Sequence, residues 1–190
     1  MKLTTYELVL CALCAAVTCI LAPISVPLAG EVPISLATFA VLLSGILLGA
    51  KYGAISQLIY VLLGSVGVPV FAGWTGGIGI TLGVTGGYII GYIPMAFIAG
   101  LLYHRYGREA SGALKYAVMI VSMILATAAL YILGTAWFMA QTGMTLGASL
   151  AACVIPFLPG DLIKIVAVML VSVPIEAALK RTAPVSQGAA

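Results

Sequence analysis

Charge is what this sequence has least of. Only 7% of its 190 residues are Asp, Glu, Lys or Arg, against roughly a quarter in soluble domains, while 63% are hydrophobic and the mean hydropathy is +1.24. That scarcity excludes a water-soluble domain and implies an integral membrane protein. The apolar–polar alternation of a transmembrane barrel is missing as well, so the spans are helices. Histidine occurs once, as His104 beside Arg105, and with no second imidazole to share a metal it reads as an interfacial residue. Of the four cysteines, Cys11 and Cys14 have the CxxC spacing but stand in one apolar helix with Cys19, and Cys153 is remote. Helix packing accounts for them better than a metal or redox site. No glycine–lysine pair exists, which excludes a phosphate-binding P-loop, and the Gly77-x-Gly79 dinucleotide pattern fails at Leu82 with no strand before it. No metal, cofactor or nucleic-acid partner is expected.

What is present is a series of six apolar stretches, 6–22, 36–50, 53–72, 88–103, 116–140 and 162–179. Each is near the ~20 residues that cross ~30 Å of hydrocarbon, and snorkelling of Lys51 lengthens the shorter second stretch. The expected fold is an all-α bundle of six transmembrane helices with irregular external loops, forming a single membrane domain. Orientation follows from the basic residues: Lys2, Lys51, Arg105, Arg108, Lys115, Lys180 and Arg181 all fall on one side, which places both termini in the cytoplasm. The opposite loops, 23–35, 73–87 and 141–160, hold no Lys or Arg, and Glu31 is the charge in them before Gly160. Lys2 followed by an apolar run ending Leu21-Ala22-Pro23 resembles a secretory signal, but a small-x-small cleavage site is missing, so it reads as an uncleaved first helix. Residues 182–190 are small and polar and read as a frayed tail.

Glycine and proline concentrate in those opposite loops, at Pro23, Pro27, Pro33, Pro156 and Pro159 and in the run from Gly73 to Gly87. Regular helix is costly there, and irregular backbone at membrane depth survives only where protein buries it or a cavity borders it. A flexible loop is the plain reading of the glycine run. Trp74, Thr75, Thr81, Thr85 and Tyr88 add aromatic faces and hydroxyls, and with Gly76 they make a segment able to cover a small molecule through close main-chain contacts. Small residues four apart, Ala12 and Ala16, Gly45 and Gly49, Gly87 and Gly91, mark close helix approaches within the bundle or with a partner.

One basic residue breaks the charge rule. Lys164 lies on the external side three residues after Asp161, in Pro159-Gly160-Asp161-Leu162-Ile163-Lys164, which reads as a bend launching the last helix. Asp161 suits a cap or first-turn acid, and Lys164 projects from the same face one turn deeper. A self-neutralising cap and a binding site are both open from spacing alone. Three irregular segments converging on one acid and one base favour the site, which suits a small, mostly apolar ligand offering N–H donors together with an anion or a polarised oxygen.

Four segments in order, Val32-Pro33-Ile34-Ser35-Leu36, the stretch from Gly64 to Gly73, Thr85-Gly86-Gly87-Tyr88, and Pro156 to Lys164, resemble the biotin-specific substrate-binding S components of energy-coupling-factor transporters, the BioY family. The resemblance covers nearly the whole chain. It implies high-affinity capture of biotin at the external face, with Asp161 and Lys164 as the matching acid and base and with Trp74, Thr75, Gly76, Thr85 and Tyr88 near the ligand. It also implies that Ala12 and Ala16 meet a transmembrane coupling subunit driven by two cytoplasmic ATPases, in a bacterial cytoplasmic membrane. The chain departs from the commoner pattern at Ala37, Trp74, Thr75, Val84 and Ile89. A solitary secondary transporter without ATPase partners is the alternative. An intramembrane enzyme is disfavoured, since no nucleophile has an evident base.

Overall fold

A computed structural model describes residues 4–26 and 32–182. Expectations for Lys2, Pro27, Glu31 and the 183–190 tail lie outside the described residues. The first helix, α1 (Thr5–Leu21), opens on a reciprocal cap: the Glu7 amide donates to Thr4 Oγ1 at 3.3 Å while the Thr4 amide donates to Glu7 Oε2 at 2.8 Å. After Ala22-Pro23 the chain makes a two-residue antiparallel ladder, β1 (Ser25–Val26) with β2 (Ile34–Ser35), before α2 (Ala37–Ser65).

Helix α2 is broken at Gly49, whose φ of 79° and ψ of −179° are not helical. In a straight helix residues 44 and 57 would stand about 20 Å apart. Instead Gln57 Nε2 donates to Ser44 Oγ at 2.9 Å, and a Cβ on Gly53 would come within 2.9 Å of the Gly45 Cα. The chain therefore doubles back, and residues 37–48 and 50–65 are the antiparallel arms of a hairpin, the second and third of the six expected spans. The third span is shorter than the expected 53–72. Past Ser65 the chain turns so that the Phe71 ring packs on Gly64, and the Phe71 amide donates to Thr75 O at 2.9 Å.

The one-turn α3 (Ile78–Thr81) interrupts the glycine run, and α4 (Gly86–Tyr106) and α5 (Gly112–Thr142) follow as long apolar helices. Their 21 and 31 residues suffice to cross the ~30 Å core at ~1.5 Å per residue. Segment 141–160, expected as an external loop, contains α6 (Leu146–Cys153) and a 3₁₀ turn (Ile155–Phe157). The last helix, α7, runs Leu158–Thr182. Pro159 and Gly160 thus belong to its first turn rather than to a break before it, since proline there removes an N–H that has no intrahelical partner. With the two arms of α2 counted separately, α1, α4, α5 and α7 complete a six-helix, multi-pass membrane bundle.

Helix α4 is the centre of that bundle. Met95, Ala96 and Ala99 are fully buried between the α2 hairpin and α5. Close approach depends on missing side chains: a Cβ on Gly45 would sit 2.5 Å from Ala96 O, and one on Gly100 would sit 2.4 Å from the Gly49 carbonyl carbon. Helix α1 lies against α2 through Cys11, Ala15 and Thr18, with Gln57 Nε2 also donating to Thr18 Oγ1 at 3.2 Å.

Candidate functional site

At one end of the bundle the loops knit together. The Gly73 amide donates to Pro23 O at 3.1 Å, Trp137 Nε1 to Gly83 O at 2.9 Å, and Tyr88 Oη to Cys153 O at 3.3 Å. Beneath them the start of α7 directs its two charges inward. Asp161 and Lys164 are buried, while Leu162 and Ile163 between them are 60% and 71% exposed on the outer face. The i,i+3 spacing and the apolar neighbours thus separate the helix into a charged inner face and a lipid-compatible outer one.

The pair is held by two other helices. Lys164 Nζ donates to Asp161 Oδ1 at 3.0 Å and to Thr38 Oγ1 at 2.9 Å, and Thr38 Oγ1 lies 3.3 Å from Asp161 Oδ1. Tyr131 Oη of α5 donates to Asp161 Oδ2. The carboxylate so accepts three hydrogen bonds of about four available to it. Of the two readings open from the sequence, cap or first-turn acid, Asp161 takes the second, as a first-turn residue of α7 engaged by side chains of α2 and α5.

Two cavities meet here. A small one of about 40 Å³ is lined by Thr38, Tyr131, Phe157, Asp161 and Lys164. A larger one of about 210 Å³ extends toward the glycine run between Tyr60, Phe71, Thr75, Thr85 and Ile89. Val32, Pro33, Ser35, Tyr88 and Tyr92 line both. The two adjoining cavities together are polar and charged at the Asp161 end and aromatic and aliphatic toward the glycine run, with threonine hydroxyls near the loops. An arrangement of this kind orients an amphipathic small molecule end to end.

Of the residues singled out in the sequence, Asp161, Lys164, Thr75, Thr85 and Tyr88 face this space. Tyr88 is fixed by Thr135, 3.1 Å from its hydroxyl. Trp74 and Gly76 do not line it: the Trp74 side chain is 66% exposed at a φ of 61°, and a Cβ on Gly76 would meet Val68 O at 2.4 Å. Ala12 and Ala16 lie on the exposed face of α1, opposite the face packed on α2. Thr38, Tyr131 and Tyr92 were not anticipated. A lone hydroxyl in an apolar span carries little signal, and the one pointer to Thr38 was its place two residues after the Val32–Leu36 motif. Among the described residues no group of three or more His, Cys, Asp or Glu could hold a metal.

Comparison with known proteins fits this geometry to a family. The chain is 40% identical over 158 residues to the probable biotin transporter BioY of Pyrococcus horikoshii, covering 83% of this chain and 88% of that protein. It is 37% identical over 155 residues to the biotin transporter BioY of Rhodobacter capsulatus, covering 78% and 80% respectively. A crystal structure of the S-component for biotin from an ECF-type ABC transporter superposes with a TM-score of 0.82 at 28% identity, covering 90% of this chain and 93% of that one. The BioY family model matches residues 1–181, and the chain belongs to the BioY family.

Proposed function

We propose that this chain is a non-enzymatic transport protein that captures biotin in the two adjoining cavities, as the S component of an ECF-type transporter. The observation that carries this reading is the junction of the Asp161–Lys164 corner with the aromatic chamber, in a chain of this family. Biotin has matching parts: a ureido group with N–H donors and a polarised oxygen, an apolar bicycle and an anionic valerate.

The geometry favours one orientation. Asp161 and Lys164 lie 3.0 Å apart, so a group reaching one reaches both. The valerate there would bring a second carboxylate against Asp161, and like charges at that distance repel strongly. The ureido group instead presents an N–H to Asp161 and its oxygen to Lys164 side by side, each a charge-assisted hydrogen bond. The bicycle then lies among Tyr88, Tyr92 and Phe71, and the valerate points to Thr75 and Thr85 beneath the loops. Trp74 and Gly76, on the loop above, belong to the segment that closes over the bound ligand.

The basic residues at the opposite end support a cytoplasmic location for that end and for both termini, with the cavity then opening to the outside of a bacterial cytoplasmic membrane. The exposed small residues Ala12 and Ala16 would let a helix of a transmembrane coupling subunit, itself driven by two ATPases, approach α1 closely. Titration of the purified chain with biotin, followed by tryptophan fluorescence, tests the binding half; a flat titration overturns it. Uptake of labelled biotin by cells expressing the chain with and without a coupling module, with ATP depleted, tests the coupling half. Undiminished uptake by the chain alone after ATP depletion would identify a solitary secondary transporter instead.

A further inference from the structure

The opposite end of the bundle holds a separate cavity of about 360 Å³, where the start of α1, the Gly49 turn and the end of α4 meet. Leu10, Leu47 and Leu48 form its apolar wall, and Glu7, Lys51, His104 and Arg108 its polar rim. Glu7 is already engaged, accepting from the Tyr52 hydroxyl and from the Thr4 amide and hydroxyl. His104 Nε2 is 2.9 Å from the Ile46 carbonyl oxygen, which can only accept, so Nε2 carries the proton. Its Nδ1 then accepts from Arg108 Nη1 at 3.4 Å, leaving the rest of the guanidinium fork to the cavity. Lys51 Nζ sits 5.5 Å from the Tyr52 ring centre. Among the described residues neither Lys51 nor Arg108 has a carboxylate within ion-pair distance.

With His104 neutral, the rim carries two cations against the one carboxylate of Glu7, which leaves a single positive charge. We infer that this cavity binds an acidic membrane phospholipid, one whose phosphodiester charge is not balanced by a headgroup cation, with the phosphate between Arg108 and Lys51 and the glycerol and upper acyl chain along Leu10, Leu47 and Leu48. A guanidinium fork and an ammonium are donors suited to phosphate oxygens, and basic pockets between helices at the membrane boundary select acidic headgroups. The leucine wall beside the cations distinguishes a lipid from a free phosphate.

The test uses the purified full-length chain in neutral detergent, titrated with phosphatidylglycerol, phosphatidylcholine or inorganic phosphate, with bound lipid counted by native mass spectrometry and helical content checked by circular dichroism. Phosphatidylglycerol binds more tightly than phosphatidylcholine, and Lys51→Ala and Arg108→Ala each weaken it about fivefold. Arg105→Ala, which removes a cation of the same end that does not line the cavity, leaves the preference intact. Equal retention of the two lipids by the unaltered chain, or an equal loss on Arg105→Ala, overturns the site. Competition by inorganic phosphate as effective as that by phosphatidylglycerol overturns the assignment to a lipid.

Discussion

Helix α7 carries an ion pair near each end, and the two are built differently. At the loop end Asp161 and Lys164 are neighbours on one helix, and their links to the rest of the bundle are the hydroxyls of Thr38 and Tyr131. At the other end Glu176 meets Lys115 of α5 at 2.8 Å and the Tyr103 hydroxyl of α4 at 2.9 Å, so its contacts tie three helices together. A pair whose charges neutralise each other within one turn needs only neutral hydroxyls from the neighbouring helices, which leaves room for a cavity beside it. A pair shared among three helices is part of what holds them. Burial alone does not separate a site from a clasp, because both pairs are largely withdrawn from solvent. What separates them is whether a cavity adjoins the charges and whether acid and base stand on one helix, as Asp161 and Lys164 do, or on two, as Glu176 and Lys115 do.

Substituting one member of each pair is the strongest way to break this comparison. Asp161→Asn is expected to weaken biotin binding by about 2–5 kcal/mol, roughly thirtyfold to several-thousandfold, since it removes a buried charged partner and leaves Lys164 uncompensated. Isothermal titration measures it, and an affinity loss below about threefold would place the charge outside the site. Glu176→Gln is expected to lower unfolding stability by about 2–3 kcal/mol, less than a fully buried pair would lose because Lys115 keeps some contact with water. Its biotin affinity stays within about threefold of the parent. Thermal unfolding in detergent beside the same titration would expose an error if the losses were exchanged between the two variants.

Smaller substitutions sharpen the picture of the loop end. Thr38→Val deletes the hydroxyl bridging Lys164 and Asp161, and a bond to a charged group is worth about 1.5 kcal/mol, so affinity falls roughly tenfold. Tyr131→Phe removes one of three donors to Asp161 while keeping the ring, and a loss of about fivefold is expected, read by the same titration. Either change acting on stability but not affinity would assign that hydroxyl to packing.

The charges were legible in the sequence because they are so few: in a chain this apolar, an acid and a base on the side without other basic residues stand out. The six spans were legible for the same reason, from hydropathy alone. The hydroxyls were not. Thr38 and Tyr131 lie 123 and 30 residues from Asp161, and helix packing alone brings them to it. The length of the third span was misread because 66–72 is as apolar as the helix before it. Its apolarity serves the interior rather than the lipid, with Val70 and Phe71 in one buried cluster with Tyr60 and Ile89 and with Phe71 and Ala72 lining the larger cavity. Segment 141–160 was read as loop from its prolines, yet proline at the first turn of α7 is compatible with helix.

The central claim is that both charges hold the ureido end of the ligand. Titrating biotin and biotin amide against the parent chain and Lys164→Ala tests it directly. Because Lys164 is assigned to the ureido oxygen, its replacement should weaken both ligands by the same factor and leave their affinity ratio unchanged. A Lys164→Ala variant that loses affinity for biotin while binding the amide as the parent does would put the lysine on the carboxylate and contradict the account.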